Sequence, residues 1–161
     1  MIRSAVPADA LAVATVHVRA WQQGFKDLLP ADYLAGLQPA ERAQRYTFGI
    51  TDGSKPQTIV AVVADAIVGF ATTGIHEDAA LLHALYVDPD HWGSGIGRAL
   101  IAEARKDLRR TGRREAMLWS MVGNRRADRF YTADGWVLDG EPRIAEVWGT
   151  AINEQCYRRA L

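Results

Sequence analysis

Leu82-His83-Ala84-Leu85-Tyr86-Val87-Asp88-Pro89-Asp90-His91-Trp92-Gly93-Ser94-Gly95-Ile96-Gly97-Arg98-Ala99-Leu100 is the stretch that decides the fold. Its first six residues are an apolar, strand-like run that enters a turn at Asp88-Pro89-Asp90. Gly93, Gly95 and Gly97 then stand at every second position before a helical pattern begins. A loop this rich in glycine can turn its backbone N–H groups toward one point, and the helix behind it adds unpaired N–H groups and a positive dipole end. The pattern predicts a phosphate cradle. A P-loop does not fit, because it needs Gly-Lys followed by Ser or Thr, and Gly97 is followed by Arg98 and Ala99. A dinucleotide fingerprint would want its third glycine at position 98 and usually lies near the chain start.

On either side of this stretch the chain alternates between strand and helix patterns without repeats or low-complexity linkers. Ile2 to Val6 reads as a short strand, and after Pro7 the residues Leu11, Ala14, Val18, Trp21 and Phe25 recur at helical spacing. Pro30 breaks that pattern; Tyr33, Leu34 and Leu37 suggest a second short helix, and Pro39 opens a further helical turn toward Tyr46. Thr58–Ala64 and Ile67–Thr73 are rich in β-branched residues and read as a tight hairpin turning at Asp65-Ala66. Ala80 to Val87 is the next strand. After the glycine loop, Leu100, Ile101, Ala104 and Leu108 line one helix face, with Gly112 closing the helix. A strand from Glu115 to Val122, a helix from Arg125 to Ala133, and two tail strands, Trp136–Leu138 and about Ala151–Arg158, complete the order β-α-α-β-β-β-α-β-α-β-β.

Composition bounds the function. A chain of 161 residues is expected to form one domain, spanning 1–161, that buries about 70% of its unfolded surface. Nineteen basic and nineteen acidic residues cancel, so charge calls for neither nucleic acid nor an anionic membrane. The single cysteine, Cys156, cannot form an internal disulfide, the start lacks a signal-peptide apolar region, and no apolar run could span a bilayer. These features predict a cytoplasmic protein. None of the four histidines has metal-ligand spacing, and no metal is expected; His17 falls on the first helix with no partner visible in the sequence.

A second motif follows at Gly123-Asn124-Arg125-Arg126-Ala127-Asp128-Arg129-Phe130-Tyr131, with Gly135-Trp136 behind it. Asn124, Ala127, Phe130 and Tyr131 fall at i, i+3, i+6 and i+7, along one side of a two-turn helix. Taken alone, Asn124 reads equally as an N-cap and Tyr131 as a core aromatic. The arginines at 109–114 and 125–129 read as solvated helix faces.

Together the two motifs resemble the GNAT superfamily of N-acetyltransferases. Its acyl-CoA signature is Gln/Arg-x-x-Gly-x-Gly/Ala after a strand, and its second motif is Asn-x-x-Ala-x-x-Phe-Tyr-x-x-x-Gly-Phe. Trp92 stands where the first pattern has Gln or Arg, and Trp136 replaces the last Phe. The element order is similar to that fold over essentially the whole chain: an α/β (α+β) GNAT architecture with a mixed, mostly antiparallel sheet and helices on both faces.

The resemblance implies acetyl-CoA as co-substrate. Trp92, Gly93, Ser94, Gly95, Ile96, Gly97 and Arg98 would bind it, with Asn124 on the pantetheine arm. Two strands splay apart at this point in the family, so Leu85, Tyr86 and Val87 would pair with that arm as an added strand. The Leu85 N–H would polarise the acetyl carbonyl, and Tyr131 would give a proton to the departing thiolate. The acidic base that some members carry aligns with Leu81; His83, expected on the same strand face as Leu85, is the nearest alternative base. Trp21, Phe25 and Tyr33 would line the acceptor pocket or form ordinary core. The implied reaction is acetyl transfer to a small-molecule primary amine by direct attack in a ternary complex. The alternatives are a protein N-α-acetyltransferase and a non-catalytic acyl-CoA sensor, and a homodimer is left open.

Overall fold

The computed structural model describes all residues 1–161. Its elements in chain order are β1 (Ile2–Ser4), α1 (Ala10–Gly24), α2 (Ala31–Ala35), α3 (Pro39–Ala43), β2 (Gln57–Val63), β3 (Ala66–His76), β4 (Ala79–Val87), α4 (Ile96–Arg110), β5 (Glu115–Met121), α5 (Arg125–Ala133), β6 (Val137–Leu138), β7 (Arg143–Val147) and β8 (Thr150–Ala160). One sheet runs through the molecule in the order β1-β2-β3-β4-β5-β8-β6, with β7 added to β8. Every pairing is antiparallel except β4 with β5.

Helices cover both faces because strand side chains alternate between them. On one face, Leu100, Ile101, Ala104 and Leu108 of α4 pack with Ala71, Leu82, Leu118, Trp136 and Tyr157; Phe130 and Tyr131 of α5 join that cluster. On the other, Val13 and Val16 of α1 pack with Val60 and Phe70, while Val18, Trp21 and Phe25 pack with Met121 and Ile152. Leu11, expected on the buried stripe of α1, is 58% exposed; the stripe is instead centred on Val13, His17 and Trp21.

Local differences from the sequence reading have identifiable causes. The β2–β3 turn sits at Ala64-Asp65, one residue earlier than expected, with φ of 48° and 63°. Two left-handed central residues match the twist of a tight hairpin, so the turn geometry and not the turn composition sets the register. The tail holds three strands, not two. β7 pairs with β8 through a second turn of this kind at Trp148-Gly149, φ 52° and 76°. Pro39 does open a helix, but it ends at Ala43, short of Tyr46.

Candidate active site

The site begins where β4 and β5 part. They pair only at Ala80–Leu82 with Ala116–Leu118; beyond that, β4 stays with β3 through Val87 and β5 with β8 through Met121. Asp88 N–H donates to the Val68 carbonyl at 2.7 Å. In an antiparallel ladder this makes Gly69–Val87 a non-hydrogen-bonded pair, and Ala71–Leu85, two residues along, another. The N–H and C=O groups of Leu85 and Val87 therefore face away from β3, into the gap.

His83 is set differently from the sequence reading. The β3–β4 register shifts between Thr72 and Thr73, which pair with Ala84 and Leu82, so His83 is the extra residue of a β-bulge. Alternation breaks there. Leu82 and Leu85, an odd number of residues apart, both pack on the α4 side, while Ala84 packs with Val13 and Val16 of α1. A Cβ on Gly74 would lie 2.8 Å from His83 Nε2, and Gly74 pairs with Leu81, which packs on the α1 side with Met117. The His83 imidazole thus lies on the α1 side and not on the Leu85 side. Desolvation, with help from nearby His76, lowers its pKa below the ordinary histidine value.

Arg19 of α1 anchors the turn after β4. Its guanidinium donates to Asp88 at 2.7 Å and to Asp90 at 3.0 Å, and Asp88 also accepts the Asp90 N–H at 2.9 Å. Burial, the largest single influence, would raise the Asp88 pKa; the Arg19 hydrogen bond, the Asp90 N–H and the nearby positive charges together outweigh it and hold the carboxyl below its usual value. Gly93 and Gly95 are left-handed, φ 75° and 88°, and Gly95 is the N-cap of α4 with no capping side chain. Ala99 N–H makes the first bond back to Gly95, at 3.0 Å. The N–H groups of Ile96, Gly97 and Arg98 precede it and are the free donors of the helix start. At Gly97 a Cβ would come to 3.4 Å from Phe130, an ordinary contact distance, so α4 lies close to α5 there.

From α5, the Asn124 carboxamide oxygen caps the helix by accepting the Ala127 N–H at 3.2 Å. Tyr131 lies one helical turn beyond Ala127. Burial, then proximity to Tyr86, raises its phenol pKa, so the hydroxyl keeps its proton at neutral pH. Arg126, read from sequence as part of a solvated face, is exposed, and its guanidinium carbon also lies over Trp92, 3.5 Å from the ring centroid.

These pieces surround one cavity of about 530 Å³. Its wall includes His83, Leu85, Tyr86, Val87, Trp92, Gly93, Gly95, Gly97, Arg98, Asn124, Tyr131 and Phe25. Ser94 and Ile96 do not line it: the Ser94 hydroxyl donates to the His91 carbonyl, and the Ile96 side chain packs toward the core. Trp21 and Tyr33 also lie outside. Trp21 is core at 3% exposure, and the Tyr33 hydroxyl donates to the Trp148 carbonyl in the β7–β8 turn. Wall residues that were not expected from the sequence include Arg126 of α5, Gln23 in the last turn of α1 and Lys26 just after it, and Trp119 and Ser120 of β5. Only the splaying of β5 from β4 would have pointed to the last two. His17 has partners after all. It is buried, its Nδ1 is 3.0 Å from the Tyr46 hydroxyl, and its ring stacks on Tyr86 with centroids 4.8 Å apart.

The observed set can hold an anion at the start of α4, pair an extended ligand along the open edge of β4, and present a neutral phenol inside the gap. No group of three or more His, Cys, Asp or Glu is placed to hold a metal ion, and no helix is long and apolar enough to cross a membrane.

Comparison with known proteins bears on this arrangement. The model of the acetyltransferase (GNAT) family matches residues 19–136. An aminoglycoside N(6')-acetyltransferase type 1 of Stenotrophomonas maltophilia is 30% identical over 145 residues, 84% of each chain. An uncharacterised N-acetyltransferase of Methanocaldococcus jannaschii is 42% identical over 71 residues, 44% of this chain and 30% of that protein's length. Among solved structures, the PaiA N-acetyltransferase of Thermoplasma acidophilum in complex with coenzyme A superposes with a TM-score of 0.74 at 18% identity, over 100% of this chain and 98% of that one.

Proposed function

Since this chain belongs to the acetyltransferase (GNAT) family and is an acetyl-CoA-dependent N-acetyltransferase, we propose that it acetylates the primary amine of a small molecule by direct attack within a ternary complex. The observation that carries the reading is the open β4 edge, where the inward-facing Leu85 N–H and the protonated Tyr131 phenol meet in one cavity. The Gly93–Arg98 turn fits a phosphate group, because its left-handed glycines leave the α4 donors uncovered. Acetyl-CoA supplies an activated acetyl thioester.

In this reading the acceptor nitrogen forms a bond to the acetyl carbon and the carbon–sulfur bond breaks. The Leu85 N–H stabilises the negative charge that develops on the carbonyl oxygen, a contribution of ~3 kcal/mol for such donors. Tyr131 hands its proton to the leaving thiolate, which is costly to form unprotonated in a dry cleft. His83, kept neutral by its lowered pKa, takes the proton that the amine loses, directly or through water. Cys156, the one thiol, is buried among Ala79 and Met117, away from the cavity wall, which favours direct attack over an acyl-enzyme.

The Stenotrophomonas relative supports a small acceptor. The wall holds no Asp or Glu, so it offers a cationic acceptor no carboxylate partner. Screening the purified protein with acetyl-CoA against pooled small amines and N-terminal peptides, with free-thiol detection and mass spectrometry, tests the proposal. Thiol release with small amines is expected; selective acetylation of peptide α-amines would assign the protein-acetylating alternative.

A further inference from the structure

Arg126 is a cation at the cavity rim that the fold holds against the cofactor loop without a carboxylate. Its guanidinium carbon lies over the Trp92 indole, 3.5 Å from the ring centroid, and both residues line the cavity. The indole is itself fixed, because its Nε1–H donates to the Val87 carbonyl at 2.8 Å. A pinned aromatic plate therefore presents a planar cation at the edge of the loop, a favourable but weak contact by itself.

That placement carries three electrostatic costs. Desolvation disfavours the charged form, and Arg129 adds a like charge nearby. Arg126 also stands in the first turn of α5, at the end of a helix dipole that disfavours cations. The acid of that turn, Asp128, is engaged elsewhere: it accepts from Gln155 at 2.9 Å and from the Tyr157 hydroxyl at 2.9 Å. An anion in the cavity would offset all three costs at once, and the uncovered donors of α4 that follow Trp92 attract an anion to the same place.

We infer that Arg126, presented by Trp92, holds the pyrophosphate of CoA and supplies from α5 the polar side chain that the loop lacks at position 92. The inference rests on acetyl-CoA as co-substrate. It turns the departure at Trp92 into an exchange, in which the loop gives the plate and a neighbouring helix gives the charge.

Calorimetric titration of the wild-type protein and Arg126→Gln with CoA, dephospho-CoA and pantetheine tests it. Arg126→Gln should weaken CoA and dephospho-CoA alike by roughly 10- to 100-fold, the range for a lost hydrogen bond to a charged group, and leave pantetheine binding as it was. The salt dependence of CoA binding should become shallower in the variant. Arg126→Lys, which keeps the charge but not the planar fork, should recover part of the loss. CoA affinity within twofold of wild type in Arg126→Gln would overturn the inference. So would an equal loss for pantetheine, which would mean a distorted loop. A loss confined to CoA and absent with dephospho-CoA would move the contact to the 3′-phosphate and overturn the pyrophosphate assignment. Failure of the wild-type protein to bind CoA is a separate result, and it would remove the acetyl-CoA reading itself.

Discussion

Gly69→Ala should loosen the cofactor loop from inside the sheet. A Cβ at Gly69 would lie 2.9 Å from Leu100 Cδ1, 3.2 Å from the Tyr86 carbonyl oxygen and 3.3 Å from Ile96 Cγ2. The Leu100 contact is with the end of a side chain, but that side chain is fully buried and has no room to turn. The Tyr86 oxygen is β4 backbone, and Ile96 is the first residue of α4. Relief must come from α4's first turn lifting off the strand. Overpacking of this kind costs about 1–3 kcal/mol. For a domain of this size each kcal/mol moves the melting temperature by about 2–4 °C, so a fall of roughly 2–12 °C is expected by differential scanning calorimetry. If binding must press the turn back into place, CoA affinity should fall by roughly 5- to 150-fold in a calorimetric titration. Gly24→Ala is the matched control: its Cβ would meet nothing closer than Trp92 at 3.9 Å, and it ends α1 without a left-handed φ. That variant should be neutral or slightly more stable. A Gly69→Ala protein with wild-type melting temperature and CoA affinity would refute the idea that close packing of α4 on β3 and β4 positions the cradle.

Tyr131→Phe keeps the ring and deletes the proton donor, so turnover should fall about 10- to 1000-fold while CoA affinity holds; equal turnover would return Tyr131 to the core. Because the Tyr131 pKa is raised, no loss of its proton should shape the rate profile at neutral pH. For His83, whose pKa is lowered, the rate at low substrate should rise with pH through a limb at or below the ordinary histidine range, and His83→Gln should flatten it; a limb that survives and tracks the acceptor's own pKa would assign the proton to water. His17 is buried with its pKa well below normal, through desolvation first and Arg42 second. The unfolded state then binds the extra proton, so stability should be level above about pH 7.5 and fall as pH drops below about 6.5, measured by urea unfolding. A His17→Gln protein with the same slope would place the titration elsewhere. Gly95→Val forces a β-branched residue to φ 88° at the N-cap, and loss of CoA binding with the fold retained is the expected calorimetric result.

What the sequence made legible is local. The glycine loop, the Asn124–Tyr131 helix and the β2–β3 hairpin each carry a local signal, and all three are present, the hairpin with its turn one residue earlier than read. What stayed hidden depends on partners distant in the chain. The bulge at His83 is a property of the β3–β4 ladder, and no feature of Leu82-His83-Ala84 announces it. Arg126 looks like its neighbours Arg125 and Arg129 until Trp92 is folded beneath it. Trp21 is in the last turn of α1 and Phe25 directly follows the helix, yet only Phe25 reaches the cavity. His17 finds Tyr46 across a separation of 29 residues. The β7–β8 turn was poorly announced, because only Gly149 suits a left-handed position and Trp148 is a bulky residue that seldom takes a positive φ.

Calorimetric titration of the wild-type chain with CoA tests the central claim most directly. The account predicts one site per chain for CoA and acetyl-CoA, with NAD and ATP giving no comparable binding, because the cradle is shaped for a pyrophosphate followed by an extended arm along β4. A folded protein that gives no binding with CoA, or that binds ATP and NAD equally well, would contradict it.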